Sequence, residues 1–262
     1  MKARLYLLLL TLPIFALLSG CANSDKMGWY VINPMIKKGR INIEFLLSGV
    51  GWTIALTLAC VTLAFIIGFL MSFAGISESK PLRWFYRIYV EVFRSIPPLV
   101  SILWVYYGLP VLMGADLNPF TSATIALSLY GSGFIAEIIR GGVQSVSRGQ
   151  FEAADSVGLT RFDKLRYVIL PQAVRRSLPA LGNQIVIMLK MSSLAAFIGV
   201  AEVVRRANEL SVTEYRPLEI YTFLVLEYLV LVLAVSWLVR RLEKRLGADE
   251  SQAGSSAPKL DG

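Results

Sequence analysis

Histidine is absent from this chain, and its only cysteines are Cys21 and Cys60. That leaves no ligand set for a zinc cluster, no histidine-based catalytic triad and no disulfide framework. Charge is scarce as well, with Asp, Glu, Lys and Arg making up 17% of residues. No Gly-x4-Gly-Lys-Ser/Thr run occurs, so the loop that cradles nucleotide phosphates is missing and ATP hydrolysis is not expected on this chain. What the sequence has instead is apolar length. Of 262 residues, 55% are hydrophobic, and mean hydropathy is +0.60, which argues against a soluble single-core domain. The net charge of +8 would suggest nucleic acid in a soluble protein. Here the bases flank apolar runs, so lipid headgroups account for them and no nucleic-acid partner is expected.

The first residues read as a leader. Met1-Lys2-Ala3-Arg4 is a positive start, Leu5 to Leu18 an apolar stretch, and Ser19-Gly20-Cys21 a small-residue stop. Fourteen helical residues rise roughly 21 Å, short of a ~30 Å hydrocarbon core, which fits a signal peptide better than a span. Leu18-Ser19-Gly20-Cys21 also resembles the bacterial lipobox, which implies a lipidated Cys21. An uncleaved anchor with an ordinary cysteine is the other reading. Both place residue 22 outside the membrane.

Five spans follow. Leu46 to Ile76 carries no charge. After the polar, proline-containing break at 78–83, an amphipathic stretch from Trp84 leads into the uncharged run Ser95 to Met113, one helix bent at Pro97-Pro98. Phe120 to Ile139 is the third span, with Gly131 and Gly133 allowing close helix approach. Leu178 to Val203 is the fourth and Ile220 to Val239 the fifth. Arg140, Arg148, Arg161, Lys164, Arg166, Arg175 and Arg176 crowd the central loop, while the 114–119 turn has no base. The positive-inside rule then makes the central loop and the C-terminus cytoplasmic and the mature N-terminus external. Lys26, Lys37, Lys38 and Arg40 run against the rule, but a processed signal would already have fixed orientation.

The central loop has its own local code. Ser147-x-x-Gln150 fits a capping box, and a short helix with Phe151, Ala154 and Val157 along one face should follow. Gly158 suits the left-handed residue that ends it. Thr160-x-x-Asp163 looks like a second cap, opening a helix that Pro171 ends or kinks. The product is a helix–turn–helix in which Ala153 and Ala154 allow close approach and Glu152 offers a fixed acceptor. From pattern alone, the loop could equally pack under its own bundle.

Glu152-Ala153-Ala154, then Gly158 after three residues, then Leu170-Pro171, resembles the loop of inner-membrane permease subunits of ABC importers. Phe93-Arg94-Ser95-Ile96-Pro97, the run Ile135 to Val143, and Leu170-Pro171-Gln172-Ala173 are similar to segments of the polar amino acid uptake subfamily, the histidine/glutamine-type permeases. The resemblance covers roughly Leu46 to Arg241. It implies an all-α membrane protein, a five-span type I ABC permease bundle with a cytoplasmic coupling helix–turn–helix behind a signal/lipobox segment. The chain then divides into a leader over 1–21, a periplasmic segment over 22–45, the transmembrane domain over 46–241 and a disordered cytoplasmic tail over 242–262. The resemblance further implies a multi-pass protein of the bacterial inner membrane. Its partners would be a second permease copy or related chain, ABC ATPase subunits holding ATP and Mg, and an external solute-binding protein. Glu152, Ala153, Ala154, Gly158, Leu170 and Pro171 would form the ATPase-coupling loop, and a polar amino acid or similar small solute would cross by alternating access. No cofactor or metal is implied on this chain.

One segment departs from the pattern. Subfamily members often carry Leu-Lys-Asp-Thr/Ser-Ser-Leu, whereas this chain has Leu189-Lys190-Met191-Ser192-Ser193-Leu194. A lysine near a helix centre costs at least ~2.5 kcal/mol to insert and usually faces a partner or water. Lys190, Ser192 and Ser193 are therefore candidate pathway residues, with Glu137 and Glu227 as the available acids. Snorkelling of Lys190 and an intrahelical Glu137–Arg140 pair are the structural alternatives. Against the permease stand an ATPase-independent carrier or channel, disfavoured by the lack of paired repeats, and a lipid-active enzyme, disfavoured by the lack of a polar catalytic cluster.

Overall fold

The computed structural model describes residues 28–114 and 116–245, and within them every regular element is helical. The leader over 1–21, its Cys21, and the tail beyond Arg245 lie outside the described residues. A 3₁₀ turn, Trp29–Ile32, precedes α1, Lys37–Ile76. Forty residues at 1.5 Å each make α1 roughly 60 Å long, so it overreaches a bilayer core at its ends. Its buried stripe consists of Gly49, Thr53, Leu56, Thr57, Cys60, Ala64, Gly68 and Ser72. Trp52, Leu58, Ile66, Phe69 and Leu70 are exposed. Small residues inward and large apolar ones outward is the arrangement expected in lipid, where close backbone packing rather than water exclusion joins helices.

The helix against that stripe is α4, Pro119–Gln144, started by the Asn118 side chain accepting the Thr121 N–H at 2.8 Å. It too buries small residues, Ala123, Ala126, Ser128, Gly131, Ser132 and Ala136. Ser128 donates to the Cys60 carbonyl across the pair at 3.2 Å. A Cβ on Gly131 would stand 2.7 Å from the flexible end of the Met188 side chain and 3.2 Å from the Ala64 Cβ of α1.

Two helices replace the single bent helix expected after residue 84. α2, Lys80–Ser95, and α3, Pro98–Met113, meet at 97°. Ile96, forced out of the helical region by Pro97, sits in extended backbone, and the chain turns there. Four helices are long and apolar enough to cross a membrane, or five if the bent α2–α3 pair is one span.

Proline shapes the next elements differently. α5, Arg148–Ser156, leads into α6, Arg161–Ile198, which continues through Pro171 and Pro179. The expected stop at Pro171 is absent because a π turn, Lys164–Ile169, lies just before it. Leu170 N–H reaches back five residues to the Leu165 carbonyl, and the widened turn relieves the clash a proline ring makes with a normal helix. α3 repeats the device: a π turn at Trp104–Gly108, with Leu109 N–H on the Trp104 carbonyl, precedes Leu109-Pro110.

α6 tightens into 3₁₀ over Ser192–Ile198 and stops at Gly199, whose φ is +91°. α7, Val203–Glu214, and α8, Pro217–Arg245, complete the bundle. Helix α8 runs past residue 241. The main core joins Leu56, Cys60, Ile102, Leu127, Ile135, Met188 and Ile198. Two small clusters close the ends, about 45 Å apart along α1. One holds Val31, Leu46, Ala207, Leu210 and Ile220; the other holds Val143, Val146, Ile169 and Ala173.

Candidate functional site

The end of the bundle near Val143 carries the motif loop. Ser147 caps α5 through its backbone only, and the Gln150 side chain accepts from Gln172 at 3.1 Å rather than reaching back. The capping box expected there is not formed, because Gln172 of α6 is the better-placed donor. Phe151 packs on the Val143–Ala173 cluster and Ala154 is buried, but Val157 is 74% exposed. The helix ends before Val157 can join their face. Gly158 takes φ +75°, with Gly158 N–H on the Asp155 carbonyl and Leu159 N–H on that of Ala154. Thr160 then accepts the Asp163 N–H and opens α6 as expected. A Lys164–Asp155 ion pair closes the turn.

Of the motif residues, Glu152, Ala153, Gly158 and Pro171 are exposed, Leu170 is half-buried, and Ala154 faces the bundle. Only Ala153 of the two alanines is therefore free for close approach. Val157, Phe162 and Tyr167 stand exposed around them. Nearby, Gln150, Tyr167, Val168, Pro171, Gln172 and Arg175 line a shallow groove of about 340 Å³. This end of the bundle therefore presents exposed apolar side chains beside the exposed Glu152 carboxylate.

Glu137 does not pair with Arg140. It forms an ion pair with Arg94 of α2, whose guanidinium also lies over the Phe134 ring at 4.7 Å. Arg140 bonds the Tyr86 hydroxyl and Gln144 instead. Tyr86, Arg94, Glu137 and Arg140 line an open groove of about 510 Å³ with Arg87 and Glu91. The arginine of Phe93-Arg94-Ser95 was legible as motif, but its partner was not, since 43 residues separate the two.

The remaining candidates lie at the end of α6 and on α8. Ser192 is fully buried and donates to the Leu189 carbonyl at 2.7 Å; Ser193 donates to that of Lys190 at 2.8 Å. Lys190 is exposed, and its ammonium has no partner among the described residues. Glu227 is only 7% exposed, and neither carboxylate oxygen has a hydrogen-bond partner. The two are not an ion pair. Sequence reasoning missed Glu202 and Tyr228. Glu202 caps α7 by accepting the Arg205 N–H at 2.7 Å and accepts the Tyr228 hydroxyl at 3.1 Å. A glutamate before an apolar-basic run signals a cap only weakly, and nothing local announces Tyr228 as its donor.

A bundle of lipid-facing helices with an exposed helix–turn–helix at one end has known counterparts. Residues 64–248 match the family described as the binding-protein-dependent transport system inner membrane component. The chain belongs to that family, the permease subunits of ABC importers. The permease is 36% identical over 205 residues to the glutamine transport system permease protein of Escherichia coli (strain K12), covering 78% of this chain and 94% of that protein. It is 32% identical over 208 residues to the arginine transport system permease protein of Bacillus subtilis (strain 168), covering 79% and 95%. Among solved structures, a crystal structure of an amino acid ABC transporter with histidines superposes with a TM-score of 0.73 at 37% identity, covering 78% of this chain and 94% of that one.

Proposed function

We propose that the permease forms half of an alternating-access pathway that carries a polar amino acid or similar small solute into the cytoplasm. A separate ATPase, holding ATP and Mg, supplies the work. The observation that carries this reading is the exposed knob formed by α5 and the start of α6. Glu152, Ala153 and Gly158 sit on its surface, while Phe151 and Ala154 root it in the bundle. A push on the knob is transmitted to α6 through Ile169 and Ala173 without a flexible joint, because the π turn keeps the helix continuous past Pro171. Relatives named for glutamine and arginine transport support an amino acid as solute.

The bases Arg148, Arg161, Arg166, Arg175 and Arg176 beside the knob, with Arg240, Arg241 and Lys244 ending α8, support a cytoplasmic knob and C-terminus in a bacterial inner membrane. The Trp29–Ile32 turn would then lie outside, where an external binding protein delivers solute. Exposed apolar residues such as Val111, Leu112 and Phe197 offer surface to a second permease chain and to lipid. On this reading Lys190 and the adjoining serines line the pathway, since an unpaired ammonium facing lipid is costly. The groove at Arg94 and Glu137 is its inner reach. Cys21 is the residue a lipid would modify.

The test is purification of the tagged chain from its native membrane in mild detergent, with ATP hydrolysis measured in the preparation. Activity should accompany the native chain and fall to background with Glu152→Ala combined with Gly158→Pro. A preparation without ATPase, whatever the loop, defeats the reading.

A further inference from the structure

We propose that three arginines at the knob end of the bundle, Arg83, Arg87 and Arg140, hold the phosphate of an anionic phospholipid head group. The inference goes beyond the transport reading and rests on the proposed orientation only for which leaflet supplies the lipid.

α1 ends at Ile76, and the chain returns as α2, which packs Tyr86 and Val90 on Ala136 of α4. Between these helices lies a hollow of about 370 Å³, walled by Ser77, Arg83, Tyr86, Arg87, Arg140 and Gln144. Val143 of the knob-end cluster lines it too. No acid is among the lining residues, so three guanidiniums share one space with nothing in it to neutralise them. The acids on neighbouring elements are engaged or set apart. Glu78 pairs with Arg161 and Glu137 with Arg94, while Glu91 lines the adjoining groove one turn further along α2. Arg83 and Arg87, four residues apart on one face of α2, are exposed, and neither side chain has a hydrogen-bond or ion-pair partner among the described residues.

Arg140 is held in place instead. Its Nε donates to the Tyr86 hydroxyl at 3.1 Å and a terminal nitrogen to Gln144 at 3.0 Å, which leaves further N–H groups unused. Tyr86 is fixed in turn, since a Cβ on Gly75 of α1 would come within 2.9 Å of its ring. Its hydroxyl accepts from Arg140 but donates to nothing among the described residues. A buried hydroxyl with a spare proton, beside two unpaired guanidiniums, matches an anion with several acceptor oxygens, and arginine forks fit phosphate oxygens well. The rest of α2 indicates where that anion comes from. Trp84 and Ile88 follow Arg83 and Arg87 one step round the helix, and with Phe85 and Val92 they are exposed. An apolar surface bordered by an arginine stripe suits a helix lying at head-group depth, where tryptophan is favoured. Basic pockets between helices on the cytoplasmic side are places where anionic head groups dock. A free phosphate would bring the charge without the acyl chains that cover Trp84 and Phe85.

The experiment follows the unfolding midpoint of the transporter complex, purified in a neutral detergent and titrated with short-chain phosphatidylglycerol. The comparisons are phosphatidylcholine of the same chain length, whose choline neutralises its phosphate, and inorganic phosphate at matched ionic strength. Phosphatidylglycerol should raise the midpoint in a saturable way, and neither comparison should. Arg83→Gln combined with Arg87→Gln should raise the concentration giving half the shift about tenfold or more. The lipid-free midpoint should stay unchanged in that variant, since neither side chain is paired in the bundle. Arg240→Gln combined with Lys244→Gln removes the same charge from exposed sites on α8 and should keep the native response. Phosphatidylcholine acting as well as phosphatidylglycerol, the full shift with phosphate alone, or no shift at all would overturn the proposal. So would an unchanged response in the α2 variant or an equal loss in both variants. In micelles the result does not depend on which way the chain is inserted, so the site and the proposed orientation fail separately.

Discussion

Gly142 and Gly158 constrain the molecule in different ways. A Cβ on Gly142 would fall 1.9 Å from the Ser177 hydroxyl and 2.8 Å from the Ala173 carbonyl, so any larger residue separates α4 from α6. Gly158 has open space around it but a φ of +75°, so substitution there strains only the backbone, by about 1–2 kcal/mol. Gly142→Val should therefore lower the thermal midpoint of the purified permease markedly, and Gly158→Ala only slightly. Equal losses would mean that the α4–α6 contact is not the tight one. The Arg94–Glu137 pair is about 40% exposed on both sides, so its strength should be modest, within about 1 kcal/mol in a double-mutant cycle. None of these partners is adjacent in sequence. Glu137 and Arg140 have the spacing of a helical ion pair, but α2 presents Arg94 and Tyr86 to them, and tertiary partners displace the local one.

Among the elements, two Leu-Pro steps, Leu109-Pro110 and Leu170-Pro171, share one solution. Each follows a π turn that absorbs the ring and keeps the helix continuous. Pro97 has no such turn before it, and the chain there bends by 97°. Pro171→Ala restores the missing N–H and removes the reason for the π turn. The prediction is an unchanged or higher thermal midpoint, since a helix-interior proline costs about 3 kcal/mol relative to alanine. Uptake should nevertheless fall, because loss of the extra residue in the turn rotates Arg161–Asp163 by about a quarter-turn relative to Leu170–Met191. Unchanged uptake would mean that the knob does not act through that register. Proline was visible in the sequence as a breaker. Whether it bends the chain or is absorbed is decided by its surroundings, since Pro179 is carried inside α6 with no π turn before it.

For the whole molecule, α1 with its small residues inward and its large ones outward is the arrangement of a protein that folds in lipid. The proposed orientation is open to a direct test. In a background lacking Cys21, Tyr215→Cys should react with a membrane-impermeant thiol reagent added to intact cells, and Phe162→Cys should not. Both positions are well exposed, at 83% and 68%, so accessibility within the protein does not decide the result. Cys60, at 1% exposure, contributes no background. The reverse pattern would place the knob outside and remove it from contact with an ATPase.

The sequence by itself determined the apolar segments, the loop with its left-handed Gly158, the second cap at Thr160, and the family. Hydropathy, chirality and short-range capping act within a few residues and can be read along a line. Only the tertiary structure decided that Glu137 pairs with Arg94, that Gln150 turns to Gln172 instead of closing a capping box, and that Glu202 takes the Tyr228 hydroxyl. It also decided that Glu227 is buried with no hydrogen-bond partner among the described residues, while Lys190 is exposed. Those outcomes depend on which helix faces meet across separations of tens of residues. There, burial turns each unsatisfied charge into a cost that a partner or ligand must offset.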